Sequence, residues 1–210
     1  MKMLLLLLLG IGAGAQSLYA DAHVFERTQS PHGLCIAQFS PEDMGSIKFF
    51  DSSRHKTYGN VFTPNEFGIS NIDLVCSWNL KEDRAAVLVY YGTKLSCINL
   101  YEKVHDVFKQ VKFELPEADT VYKQVHKKPY RLEFSSGGSI NAVGPWTNDI
   151  VKLVSGDEHD KGDGSTEALL IVLDVRVRDG KSTILKQKLL NPLSEAESQA
   201  FFEKWGDKYQ

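Results

Sequence analysis

Apolar residues alternate with polar ones, or gather in short β-branched and aromatic runs, along most of this chain. Such runs fall at 33–39, 46–50, 72–78, 85–91, 95–101 and 107–115, and again at 130–134, 150–154, 168–178 and 182–189. A period of two with β-branched and aromatic enrichment predicts strands. Turn-forming clusters at 81–84, 92–93, 136–138 and 179–180 separate them. The last is the sharpest local signal. Asp179-Gly180 between Val175-Arg176-Val177-Arg178 and Lys181-Ser182-Thr183-Ile184 predicts a hairpin, because a type I′ turn holds both central residues at positive φ. Arg176 and Arg178 alternate with Val175 and Val177, so one face there is expected in water.

The pattern changes at the C-terminus. Ser194-Glu195-Ala196-Glu197 has the spacing of a capping box, and Pro192 closes the strand before it. Ala196, Ala200, Phe201 and Trp205 then share one helical face, with Gly206 as a stop. That stripe is expected to dock on the sheet.

The chain also repeats itself. Asn71-Ile-Asp-Leu-Val-Cys-Ser-Trp78 matches Ser139-Ile-Asn-Ala-Val-Gly-Pro-Trp146 at a constant offset of 68. A second strand ending in glycine follows each (Val87 to Gly92, Val151 to Gly156), then a third (Leu95 to Leu100, Ala168 to Leu173). The succession of Trp, polar turn, apolar strand and Gly resembles blades of secreted β-propellers. Two copies cannot close a propeller, which needs at least about four blades. The expected fold is therefore all-β: an antiparallel sandwich or a barrel-like β-meander, internally duplicated, with one C-terminal helix. Residues 21–210 are read as a single β-rich domain, with related meander units at about 69–103 and 137–190.

The first twenty residues read as an address. Lys2 precedes the run Leu4 to Leu9 plus Ile11, and small residues after it offer cleavage following Ala15 or Ala20. The run falls short of the roughly 20 apolar residues that span a bilayer, so a leader at 1–20 and a secreted or periplasmic protein without a stable membrane anchor are expected. Removing it takes away Lys2 and no acid, so the net charge moves from −3 to −4. That balance gives no electrostatic footprint for nucleic acid. The basic stretch Lys123, Lys127, Lys128, Arg131, broken by Pro129, reads as a solvated loop.

An oxidising compartment raises the question of Cys35, Cys76 and Cys97. Cys76 with Cys97 is the nearest pair and the leading expectation for a disulfide. A simple three-stranded meander would hold them on its outer strands, about 9.6 Å apart, beyond the roughly 7 Å that a bridge spans. A pairing through Cys35, or free thiols packed as small hydrophobes, are the alternatives.

Candidate chemistry concentrates where the two copies differ, in an insertion at 157–165 of the second. Asp157, Glu158, His159, Asp160 and Asp163 stand beside Gly162 and Gly164, a donor set that suits a hard cation such as calcium. The spacing departs from the helix-loop-helix calcium pattern, since Gly164 at the obligatory glycine puts His159 and Lys161 at ligand positions. An exposed binding loop is the alternative, with Tyr91 of the Tyr90-Tyr91 pair contributing from an aromatic edge. Glu82-Asp83 and Glu117/Asp119 are expected in solvated turns. His32 lies three residues from Cys35, but a structural cysteine in a strand is the simpler reading. No nucleophile elbow, phosphate-binding glycine loop or zinc-protease helix is present. The sequence thus favours a non-catalytic exported recognition protein with a protein partner, an inhibitor or immunity protein being concrete versions. A metal-assisted hydrolase at the 157–163 loop, or a small-molecule or lipid carrier, are the rivals.

Overall fold

Ala85 to Val89 are apolar without interruption, a pattern that suits a strand covered on both faces rather than one. The computed structural model describes residues 24–33, 36–40, 46–51, 56–62, 72–91, 95–130 and 138–209. The leader expected at 1–20, Cys35, and all but Tyr130 of the strand expected at 130–134 lie outside the described residues.

Three antiparallel sheets stack in layers. The first is built in chain order from β1 (Val24–Phe25), β2 (Ile36–Ser40), β3 (Ser46–Asp51) and β4 (Lys56–Phe62). The second is a meander of β5 (Ile72–Trp78), β6 (Arg84–Tyr91), β7 (Leu95–Val104) and β8 (Val107–Val111). Helix α1 (Ala118–His126) leads to the third sheet, a meander of β9 (Ser139–Thr147), β10 (Ile150–Asp160), β11 (Thr166–Arg178) and β12 (Lys181–Leu189). The short β13 (Leu193–Ser194) pairs with β11, and α2 (Glu195–Tyr209) ends the chain.

The second sheet is the middle layer. Ala85, Val87 and Val89 of β6 face the first sheet, joining Phe49, Tyr58, Trp78, Tyr101 and Phe108. Phe49 sits at the centre of that cluster, its ring 5.1 Å from Trp78, 5.4 Å from Tyr101 and 4.8 Å from Phe108. Ala86 and Leu88, pointing the other way, meet Val151, Leu153, Ile171, Leu173 and Val175 of the third sheet. The outer face of the third sheet, with Val154, Ala168 and Leu170, is covered by Phe201, Phe202 and Trp205 of α2. The result is a sandwich, as the alternation predicted, and no sheet closes into a barrel among the described residues.

The two segments of the repeat occupy corresponding strands: Ile72–Trp78 is β5, and the segment ending at Trp146 is β9. Local signals hold well. Asp179 and Gly180 sit at φ 54° and 70° between paired Arg178 and Lys181, the geometry of a type I′ hairpin. Glu197 Oε2 accepts from the Ser194 amide at 2.9 Å and its hydroxyl at 2.7 Å, forming the returning half of the capping box. The docking stripe of α2 differs in part from expectation, since Ala196 and Ala200 are exposed while Ser198 is buried.

Three expectations need correction. The basic stretch read as a loop begins within helix α1, whose Ala118 and Val121 are buried. The strand β4 had no counterpart in the predicted set. The Cys76–Cys97 disulfide does not form, and both residues are free thiols. Their strands flank β6, where Cys76 pairs with Val87 and Cys97 with Val89. They therefore stand at least two strand spacings, about 9.6 Å, apart. Burial pushes the Cys76 thiol well above its ordinary range.

Candidate functional site

The acidic insertion is mostly strand. β10 continues to Asp160, with Asp157 paired to Leu169, Glu158 to Ala168 and His159 to Glu167, so only Lys161–Ser165 form the exposed tip. Period-two alternation then sends the expected binding residues to opposite faces. Asp157 and His159 face α1, while Glu158 turns away and accepts from Thr166 Oγ1 at 2.9 Å. Asp160 and Asp163 fold back on the tip, accepting from the amides of Gly162 at 2.7 Å and Ser165 at 2.9 Å. Tyr91 belongs to a different layer: it packs against the cluster between the first two sheets, its hydroxyl 3.6 Å from Cys97 Sγ. Among the described residues no group of three or more His, Cys, Asp and Glu side chains is placed to hold a metal ion. The predicted site residues therefore do not converge.

Two of them do enter a polar seam beneath α1. His159, 6% exposed, lies 3.7 Å from Asp119 Oδ1, with its ring tilted against that of Tyr130 at 5.2 Å between centroids. Tyr130 in turn meets Tyr122 at 4.9 Å and bonds to Glu167. Burial pushes the Asp157 carboxyl above the usual carboxylate range, and the nearby acids Asp119 and Glu117 add to that against the opposing pull of His159. Both imidazole nitrogens are enclosed. The seam holds α1 against the β10–β11 hairpin.

The surface best organised for contact lies at the other end of the sheets, where β5 turns into β6. Asn79 fixes that turn: its Oδ1 accepts from the amides of Asp83 and Arg84, both at 3.0 Å, and its Nδ2 donates to Asp83 Oδ1 at 2.6 Å. Glu82 is not solvated as expected. It is 6% exposed, at φ 52°, and accepts from the His32 amide at 2.6 Å. Arg84 donates through Nε to the Val177 carbonyl and pairs with Asp83 at 2.7 Å and Glu102 at 2.9 Å. Glu102 also accepts from the Gly180 amide at 2.6 Å, tying the turn to the β11–β12 hairpin. Asn79, Glu82 and Arg84 are thereby drawn inward, while Lys81 stays exposed and Leu80 is left 83% exposed at the tip.

Beside Leu80 stands Trp146. The register of β9 slips between Val143 and Trp146 opposite Leu153 and Val151, so Gly144-Pro145 form a bulge, and bulges re-aim side chains. Trp146 Nε1 donates to the Ser77 carbonyl at 2.9 Å, and Ser77 Oγ to the Gly144 carbonyl at 2.5 Å, stitching β5 to β9 by side chains rather than a ladder. A cleft of about 730 Å3 opens on one side, lined by Arg27, Val75, Val143 and Pro145 among others. A second, of about 480 Å3, opens on the other, toward Lys81, Asp149 and Arg178. Leu80 and Trp146 line both clefts. The sequence carried one faint sign of this site, a lone leucine within the polar turn Asn79-Leu80-Lys81-Glu82-Asp83. No protein-family model, curated protein or solved structure matches this chain.

Proposed function

We propose that this chain is an exported, non-catalytic recognition protein, secreted or periplasmic, that binds another protein through the ridge of Leu80 and Trp146. An inhibitor or an immunity protein is a concrete form of that role. The observation that carries the reading is Leu80, a large apolar side chain held almost wholly in water by a turn whose own hydrogen bonds fix its shape. A pre-organised loop loses little entropy on binding, which is how rigid contact loops gain affinity. Trp146 between the clefts, with Arg27 and Arg178 beside it, is of the residue types enriched at interface hot spots. Pro145 lacks an amide donor, so strand addition along β9 is blocked there, which favours side-chain contacts as the mode of recognition.

The rivals have less support. The acidic residues of a hydrolase site point to both faces of β10. A barrel-type carrier needs a lumen, whereas the space between the sheets is filled by fully buried side chains such as Phe49, Leu88, Leu153 and Ile171.

The test is photo-crosslinking from position 80 and, separately, from position 163, in the protein's own extracellular or periplasmic milieu. A single protein should cross-link from 80 and not from 163. Its affinity should fall at least about 30-fold for Leu80→Asp, the scale of a 2 kcal/mol hot spot, with the melting temperature unchanged. A partner that binds Leu80→Asp at full strength would refute the assignment.

A further inference from the structure

Helix α2 lies across the outer face of the third sheet and leaves an open groove of about 300 Å3 beside β12. The floor is apolar. Val172, Leu190, Phe201 and Trp205 are half-buried there, and the Phe201 and Trp205 rings stack with centroids 5.7 Å apart. The walls are cationic: Lys152, Lys186, Lys188 and Lys204 line the groove against one carboxylate, Asp174. The register explains the convergence. Lys152, Asp174 and Lys186 form one cross-strand row on β10, β11 and β12, and Lys188 stands opposite Val172 in the next. Lys152 is paired with Asp174 at 3.1 Å, while Lys186, Lys188 and Lys204 have no carboxylate within ion-pair distance among the described residues.

Edge strands often carry lysines that discourage pairing with another chain, and that accounts for Lys186 and Lys188 on β12. It does not account for Lys152, on an inner strand, or for Lys204, which α2 brings in from the opposite wall. Four lysines against one aspartate also run counter to the charge of the chain, which is −3. Small-molecule sites are concave and mostly apolar, with a few placed polar groups, and begin at about 300 Å3. We propose that this groove binds a small amphipathic anion, a carboxylate on a ring or short acyl body. Lys186, Lys188 and Lys204 take the anionic group as point charges, and Phe201 and Trp205 take the apolar part. This site is separate from the Leu80–Trp146 ridge and does not depend on it.

Decanoate is a suitable probe, titrated into the full chain by calorimetry with tryptophan fluorescence in parallel. The expected result is saturable one-to-one binding that weakens with added salt. Decanamide, the same chain without charge, should bind roughly tenfold more weakly or worse, and so should decanoate to the Lys186→Glu/Lys188→Glu variant, since two charge contacts together are worth about that factor. Lys123→Glu, on exposed α1 surface, should change nothing. Equal binding of decanoate and decanamide, or undiminished binding by the double variant, would overturn the proposal. So would the lack of saturable decanoate binding, including the case where a glutamate-rich peptide or phosphatidylglycerol vesicles bind instead.

Discussion

Glu102 is one of the residues through which the middle sheet grips the third, and removing its carboxylate should be among the more damaging single changes. One oxygen pairs with Arg84 at 2.9 Å and the other accepts from the Gly180 amide at 2.6 Å. The side chains of Arg84 and Glu102 are 17% and 9% exposed, so solvent screens the pair little. Breaking a buried pair by deleting one partner costs about 3–5 kcal/mol, because the other charge is stranded. Two features reduce that figure here. Arg84 keeps Asp83 and the Val177 carbonyl, and Gly180 is exposed, so water can replace its lost acceptor. Glu102→Ala should therefore cost about 2–4 kcal/mol. For a chain of this length each kcal/mol moves Tm by about 2–4 °C, so a fall of about 4–16 °C is expected. Urea melts with an unchanged slope are the measurement. Replacing both charges, as Arg84→Met/Glu102→Leu, should cost less than Glu102→Ala alone, since no charge is left unpaired. A Glu102→Ala cost below about 1 kcal/mol, or a double variant equal to the sum of the singles, would show instead a solvated pair of the weak surface kind.

Gly156→Ala would put a methyl 2.1 Å from the Leu169 carbonyl oxygen, a backbone atom that cannot step aside; a loss of about 1–3 kcal/mol or more is expected in urea melts. Asp157→Asn probes the seam under α1 through pH. Because burial raises the Asp157 carboxyl in the folded state, its contribution to stability is fully present below the unfolded value of about 4 and is lost as pH rises through the folded value. The asparagine variant should match the parent below about pH 4 and exceed it increasingly above; a gap that is largest in acid would refute the burial account. Native alkylation with iodoacetamide should leave Cys76 unlabelled until the chain unfolds, since burial raises that thiol and only the thiolate reacts; a disulfide-linked Cys76–Cys97 peptide in the mass map would contradict the free-thiol geometry.

Much of the fold was legible because it rests on local chemistry. Ile72–Trp78 has the predicted bounds, the Asp179-Gly180 turn has both positive φ values, and Glu197 reaches back to Ser194. Helix α1 was not legible, because Thr120, Val121, Tyr122 and Val125 favour strands taken alone; its helical state is fixed by Val121 packing into the core between the second and third sheets. The acidic insertion misled for a related reason. Polar composition reads as loop, yet Asp157–Asp160 are held extended by a continuous ladder to Thr166–Leu169. Glu82 and Asp119 likewise look like solvated turn acids in sequence. Their partners, His32 and His159, lie 50 and 40 positions away in sequence, where no local pattern reaches.

The same long-range logic explains why the proposed contact surface was missed while the core was found. Stacking three sheets consumes both faces of β6 and encloses Phe49, Tyr58, Trp78, Tyr101 and Phe108. What remains for binding must sit at turns and at the margins of the outermost layer. The β5–β6 turn grows from the sheet stacked between the other two, so its base is among the least free to move. Asn79, Glu82 and Arg84 then anchor the turn to three different places: its own backbone, the segment at His32, and the β11–β12 hairpin. A leucine on a loose loop could collapse onto the protein and leave the water. Holding it outward on a turn braced from three sides makes sense if the exposed position is the one that is used.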